Sequence, residues 1–367
     1  MSGSIYGTHF KISTWGESHG KAVGVVIDGC PAGLSLCEED IQKQLDRRKP
    51  GQSKFATHRA EEDTVEILSG IFEGKTTGTP ISMLVHNKDQ RSKDYGNIAY
   101  SYRPGHADYT FDEKYGIRDY RGGGRSSGRE TIARVAAGAV ASKILLELGI
   151  HVRAYTKAIG PVSIDNEDYD FSCIQDNPLN MPNRGKAQEA AEYVSECMAH
   201  YDSCGGIVEC TAEHLPTGLG EPVFDKLDAC LAKAIMSIGA VKGVEIGDGF
   251  EAAKSNGSKN NDPFRIHSDG SVFKTSNHAG GVLGGISDGS TLILRAAIKP
   301  TSSIFSTQQT ITKDHEEIDI AIKGRHDPVI VPRAVVVVES MTAITLVDLL
   351  FANMYAKMES LKKLYER

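Results

Sequence analysis

Two histidines, one aspartate and an arginine-glycine loop carry the side chains that could move a proton or hold an anion. His19 lies in Trp15-Gly16-Glu17-Ser18-His19-Gly20, after a β-rich run and among small residues that let an imidazole project. An imidazole titrates near pH ~6.5, so it can hand a proton to a departing group at neutral pH. A histidine that only stabilises a turn is the plain alternative. His106 lies in Arg103-Pro104-Gly105-His106-Ala107-Asp108, a second turn with a cation and an imidazole. Asp327 lies in Gly324-Arg325-His326-Asp327-Pro328, where the proline restricts the aspartate to extended geometry and fixes its direction. A structural ion pair is the alternative there.

Between these motifs runs Arg121-Gly122-Gly123-Gly124-Arg125-Ser126-Ser127-Gly128-Arg129-Glu130-Thr131. Glycine lets backbone approach a ligand, hydroxyls donate hydrogen bonds, and guanidinium forks match carboxylate or phosphate oxygens. A helix predicted from Arg129 to about Leu148 would aim its amide donors at the same place. The ligand expected is anionic and large. Lys299-Pro300-Thr301-Ser302-Ser303 offers a second cradle, and Asn277-His278-Ala279-Gly280-Gly281 through Gly284-Gly285 offers backbone that could lie against a flat ring. Arg47-Arg48-Lys49, with Lys54, clusters at the end of the first predicted helix, where cations also serve as ordinary caps.

Three familiar motifs fail. Gly16-Glu17-Ser18-His19-Gly20 has hydrolase-elbow spacing, but a serine triad needs partners later in the chain. Gly70 to Thr76 resembles a phosphate-binding loop with one residue too few between its glycines. No Gly-x-Gly-x-x-Gly of the dinucleotide type follows a strand.

The 367 residues carry a net charge of −7, which argues against nucleic acid as a partner. No stretch of about 18 apolar residues or signal-peptide order is read in the sequence, so no membrane span is expected and a cytoplasmic location is. The seven cysteines show no Cys-x-x-Cys pair, and buried free thiols are expected rather than a metal site.

The elements that must position these groups read as alternating strands and helices. Strands are predicted at Thr8 to Thr14, Val23 to Ile27, Ile81 to Val85, Ile207 to Thr211, Thr291 to Ile298 and Val329 to Val338. Ser35 to Glu38 reads as a capping box for a helix ending near Lys49, and Glu221-Pro222 as the start of a helix reaching Ile238. Small residues from Ala133 to Ala141 suit a central helix with close neighbours. Residues 251–271 read as a mobile polar loop. Gly24-Val25-Val26-Ile27 with Pro31-Ala32-Gly33-Leu34 is echoed by Gly206-Ile207-Val208-Glu209 with Pro216-Thr217-Gly218-Leu219, which suggests two similar halves, about 1–190 and 191–367, of one unit spanning 1–367.

Taken in order, the His19, His106, Arg121 to Thr131, Lys299 to Ser303 and Asp327 motifs closely resemble chorismate synthase, from about residue 5 to about residue 350. The resemblance implies an α+β fold: a β-α-β sandwich with central helices between antiparallel sheets, assembled as a homotetramer. It implies a lyase of the shikimate pathway that converts 5-enolpyruvylshikimate 3-phosphate to chorismate and phosphate by 1,4-anti elimination. Reduced FMN is needed without net redox change. His19 then resembles the acid assisting the leaving phosphate, His106 the residue supporting the reduced flavin, and Asp327 the group beside flavin N5. Arg125, Ser126, Ser127, Gly239, Ala240, Gly284, Lys299, Pro300, Thr301, Ser302, Ser303 and Arg325 match flavin contacts, with Gly239 standing where Asn is expected. Arg48, Lys54 and Arg134 are expected to hold the acidic groups of the substrate. Some relatives reduce flavin with NADPH; lacking a nicotinamide fingerprint, this chain is expected to borrow reduced FMN from an external flavin reductase.

Overall fold

The computed structural model describes residues 3–49, 51, 55, 62–88, 98–165, 168–322 and 326–366. Two of the residues singled out above, Lys54 and Arg325, lie outside the described residues.

The first half builds β1 (Ile5–Tyr6), β2 (Lys11–Gly16), β3 (Ala22–Asp28), α1 (Glu38–Arg48), β4 (Val65–Ile67), the hairpin β5 (Ile71–Phe72) and β6 (Lys75–Thr76), and β7 (Ile81–His86). Strands 1, 2, 3, 7 and 4, in that order, form an antiparallel sheet. α2 (Asp108–Tyr115) and α3 (Thr131–Glu147) follow. The second half builds β8 (His151–Ile159), β9 (Val162–Ser163), α4 (Arg184–Ala199), β10 (Gly206–Glu213), α5 (Leu227–Met236) and β11 (Val241–Ile246). An excursion then carries α6 (Gly257–Asn260), β12 (Phe264–Ile266), β13 (Val272–Lys274) and the hairpin β14 (Val282–Leu283) and β15 (Ile286–Ser287) before β16 (Leu292–Ile298). Strands 11, 16, 10, 8 and 9 form the second antiparallel sheet. A pair β17 (Gln308–Ile311) and β18 (Glu317–Ile320), then α7 (Val331–Asn353) and α8 (Met358–Tyr365), complete the chain.

α3 packs on the first sheet and on α7, and α7 packs on the second sheet, so two helices fill the middle of an α+β sandwich. Both helices are buried around most of their circumference, as a central layer requires. They touch at Gly138, where a Cβ would lie 2.2 Å from Ser340 Cβ, so only glycine fits. One continuous apolar core runs through both sheets and both helices.

The two halves repeat each other in detail. Strands 2, 3, 7 and 4 correspond in chain order and sheet order to strands 8, 10, 16 and 11, with α1 matching α5 and α3 matching α7. In each half a hydroxyl on the hairpin clasps a Pro-x-Gly-Leu turn. Thr76 Oγ1 donates to Pro31 O at 2.6 Å and accepts the Leu34 amide at 3.0 Å. Ser287 Oγ donates to Pro216 O at 2.6 Å and accepts the Leu219 amide at 2.9 Å. Because β8 and β9 belong to the second sheet, the halves join near residue 150 and not near 190.

Other sequence expectations are corrected. Val329 to Val338 is mostly the start of α7, opened by Pro332 in its first turn, and not a strand. α7 is also long and apolar enough to cross a membrane, contrary to the sequence reading, but most of it is buried between the sheets. The box ahead of α1 is Cys37 with Asp40, whose Oδ2 accepts the Cys37 amide at 3.1 Å. α5 starts at Leu227, six residues after Glu221, since the Glu221 amide closes a turn onto Asp225 O at 2.9 Å. Residues 251–271 contain a 3-10 turn, α6 and β12. The buried side chain of Lys274, just beyond, pairs with Asp262 at 3.0 Å and Asp288 at 2.7 Å, pinning the excursion. Cys30, Cys173, Cys204 and Cys210 are buried thiols, whereas Cys37 is exposed.

Candidate functional site

The arginine-glycine loop gathers the candidate groups. Gly122 and Gly123 both have left-handed backbone, with φ of 68° and 88°. A Cβ on Gly122 would lie 2.6 Å from His19 Cε1, and one on Gly123 would lie 3.1 Å from His106 Cε1. The paired glycines thus let two imidazoles from distant parts of the chain rest on adjacent peptides. Glycine is needed twice over, for the positive φ and for the close approach.

His19 follows β2, and its Nδ1 is 3.1 Å from Ser18 Oγ. Ser18 Oγ also donates to Arg121 O at 3.3 Å, which ties the histidine turn to the loop. Arg125 secures the same turn from beneath, donating to Gly16 O at 3.1 Å and to Thr14 Oγ1 at 2.8 Å. Its guanidinium is therefore engaged with protein. Ser126 Oγ donates to Gly123 O at 2.7 Å, and Ser127 Oγ accepts the Arg129 amide at 3.3 Å, so both serines shape the loop.

His106 Nδ1 is 2.9 Å from Asp108 Oδ1. Burial alone would raise the Asp108 carboxyl, but hydrogen bonds from Arg103 and His106 and their charges hold it far below the usual carboxylate range. The turn before His106 carries the second cradle: Lys299 Nζ donates to Gly105 O at 2.7 Å. Among the described residues no carboxylate pairs with Lys299, and burial and then neighbouring Lys242 lower its pKa. Thr301 Oγ1 is buried without a hydrogen-bond partner among the described residues.

The Lys299 amide donates to Ala240 O at 2.9 Å, which brings Gly239-Ala240 to the cradle. Ala240 has φ of 72°, a strained conformation for a residue with a Cβ. Arg134, expected to bind substrate, ties α3 to this turn. It donates to Ser237 Oγ at 2.6 Å and to Glu130 at 2.8 Å. These contacts run from the loop through Glu130 and Arg134 to Ser237, and through Ala240, Lys299 and Gly105 to His106 on Gly123.

A second cluster meets the other end of the loop. Arg48 is fully buried at the end of α1, 2.6 Å from Asp63 Oδ2 and 3.3 Å from Gly128 O. Arg129 shares the same carboxylate, at 2.9 Å from Asp63 Oδ1. Arg333 donates to Arg48 O at 3.2 Å and to Asp327 Oδ2 at 2.5 Å, so Asp327 joins this cluster. Asp63 and Arg333 were missed in the sequence: neither sits in a recognisable motif, and Asp63 gains its part only by standing between two arginines. Gly284 is not brought to the cradle within this chain. It turns the β14–β15 hairpin at the start of α5, where the Leu227 amide bonds Gly285 O at 2.8 Å, whereas Ala240 lies beyond the other end of that helix.

His19, His106, Lys299 and Arg48 thus gather around the loop that contains Arg125, and Asp327 joins them through Arg333 and Arg48. Cations outnumber their carboxylate partners there, an arrangement suited to a ligand with several acidic groups.

Comparison with known proteins agrees with this geometry. Residues 10–351 match the family described as chorismate synthase. A chorismate synthase of Lachnospira eligens is 64% identical over 367 residues, covering all of both chains. One from Methanococcoides burtonii is 55% identical over 366 residues, 99% of this chain and all of that one. A crystal structure of chorismate synthase superposes with a TM-score of 0.77 at 34% identity, covering 98% of this chain and 97% of the other. The chain belongs to the chorismate synthase family, of the shikimate route to the aromatic amino acids.

Proposed function

We propose that this chain converts 5-enolpyruvylshikimate 3-phosphate to chorismate and phosphate by 1,4-anti elimination, a lyase reaction with reduced FMN bound and no net redox change. The observation that carries this reading is the seating of His19 and His106 on the adjacent peptides of Gly122 and Gly123, inside a surplus of cations. The residues present fit the cofactor: Lys299 lacks a carboxylate partner among the described residues and Thr301 Oγ1 has an unused hydrogen-bonding capacity, as a cradle for an acidic ligand would have. Lys299 to Ser303, Ser126, Ser127 and Ala240 would hold the flavin, and Arg48 would hold the substrate's acidic groups.

Reduced flavin, when bound, supplies electron density toward the departing allylic phosphate and a nitrogen, N5, able to take the ring hydrogen. His19 delivers a proton to the leaving phosphate, with Ser18 orienting its ring through Nδ1. His106 keeps Nδ1 on Asp108 and turns its other edge toward Gly123, from where it would support the flavin. Asp327, steadied by Arg333, helps pass on the ring proton. The same reading has the chain acting in the cytoplasm as a homotetramer, with an external reductase supplying reduced FMN.

The test is anaerobic phosphate release with substrate and reduced FMN. Many phosphates per reducing equivalent are expected. Stoichiometric consumption of reductant would point to an ordinary redox flavoenzyme, and substrate binding without release to a non-catalytic binder; either sinks the proposal. NADPH alone should leave FMN oxidised.

A further inference from the structure

Asp108 opens α2 and is almost fully buried, behind the His106 imidazole. Its carboxylate receives four groups. Arg103 gives its backbone amide at 3.1 Å, Nε at 2.7 Å and Nη2 at 2.8 Å, and His106 Nδ1 is 2.9 Å away; the Arg118 guanidinium adds an ion pair, Nη1 at 3.1 Å, without a hydrogen bond. Arg118 is itself fixed, with Nη2 donating to Ile98 O at 2.8 Å and Ser101 O at 2.9 Å. Behind it stands Asp112, 3.2 Å from Arg118 Nε and 3.1 Å from Lys313 Nζ. On the open side of His106 the neighbours are Lys299 on Gly105 O, Ser126 on Gly123 O, and His19 across the glycine pair.

A carboxylate that only accepts, held by two guanidinium groups that only donate, can take nothing from His106 but a proton-bearing Nδ1. That settles the tautomer and leaves Nε2 facing Gly123 and the ligand side. Such an arrangement resembles the outer carboxylates that orient metal-bound histidines, here without a metal. We propose that Asp108 is a positioning residue for the reaction: it fixes His106 with Nδ1–H inward and Nε2 outward. The inference rests on His106 taking part in the reaction, but its geometric core does not.

Nitrogen-15 NMR of the imidazoles, with His106 assigned from the His106→Gln spectrum, reads the tautomer directly in the wild-type chain without substrate. A proton on Nδ1 in the neutral ring is expected; the Nε2–H tautomer overturns the proposal, whatever the activity proves to be. Asp108→Asn should lower kcat on the order of 10- to 100-fold with little change in KM. Asp108→Glu should recover part of the loss. In a His106→Ala background Asp108→Asn should have almost no further effect on kcat. Equal losses with and without His106 would make Asp108 a purely structural anchor and overturn the proposal. If Asp108→Asn does not fold, the wild-type NMR measurement decides alone.

Discussion

Gly122 and His19 approach so closely that a single added methyl at position 122 would sit 2.6 Å from the His19 ring. Gly122 also has φ of 68°. Gly122→Ala should therefore push the imidazole off its seat and lower turnover about 100-fold, in the range associated with loss of an acid-base group. The melting temperature should fall by only a few degrees, because the added backbone strain is about 1 kcal/mol. Steady-state phosphate release and calorimetry check both halves; full activity would remove the glycine pair from the site.

Lys299→Met should weaken FMN binding about 10-fold or more, since one hydrogen bond to a charged group is lost. The pH dependence has a definite sign. An anion beside Lys299 favours its protonated form, so the Lys299 contribution to affinity is complete below the lowered pKa of the free protein, starts to fall once pH passes that value, earlier than for a lysine at the usual ~10.4, and is gone above the higher value that the bound anion gives it. Fluorescence titration from neutral to alkaline pH should show a fall in the wild type that is much smaller in Lys299→Met.

The excursion between β11 and β16 should open in acid. Burial alone would raise Asp262, but Ser276, the amides of Ala279 and His278, and Lys274 together depress it well below the ordinary carboxylate range. With a depressed folded value, its stabilising contribution is present above the unfolded value near ~3.9 and is lost as pH falls below it. Hydrogen exchange, corrected for intrinsic rates, should accelerate at residues 264–274 between pH 5 and pH 3. Asp262→Asn should show the fast exchange already at pH 6.

Thr76→Val and Ser287→Ala each remove one clasp hydroxyl and leave a turn amide and carbonyl without their partner. Each should destabilise by about 1–3 kcal/mol. The double variant should show the simple sum, because the two clasps share no partner. Urea unfolding would expose any coupling.

The sequence made the chemistry more legible than the architecture. His19, His106 and Asp327 stand in short motifs whose neighbours advertise turns, and the glycines of the loop announced close approach before any contact was known. Their convergence could not be read, because it depends on Asp63, Arg333 and Ser237, ordinary residues that matter only through what the fold sets beside them. The start of α7 was misread for a physical reason: the four valines from Val335 to Val338 favour strands locally, yet burial between two sheets overrides that preference. The repeat was visible at its Pro-x-Gly-Leu turns but not at its join, since α4 intrudes between β9 and β10 and disguises the order of the second half.

α7, the middle slab against which the second sheet rests, comes after every strand of both sheets along the chain. During synthesis both sheets therefore emerge from the ribosome before the helix that covers the inner face of the second one. The nascent protein must hold that face uncovered until Val331–Asn353 appears, and a premature stop before Val331 would leave a product with an exposed apolar sheet, a natural client for chaperones and proteases.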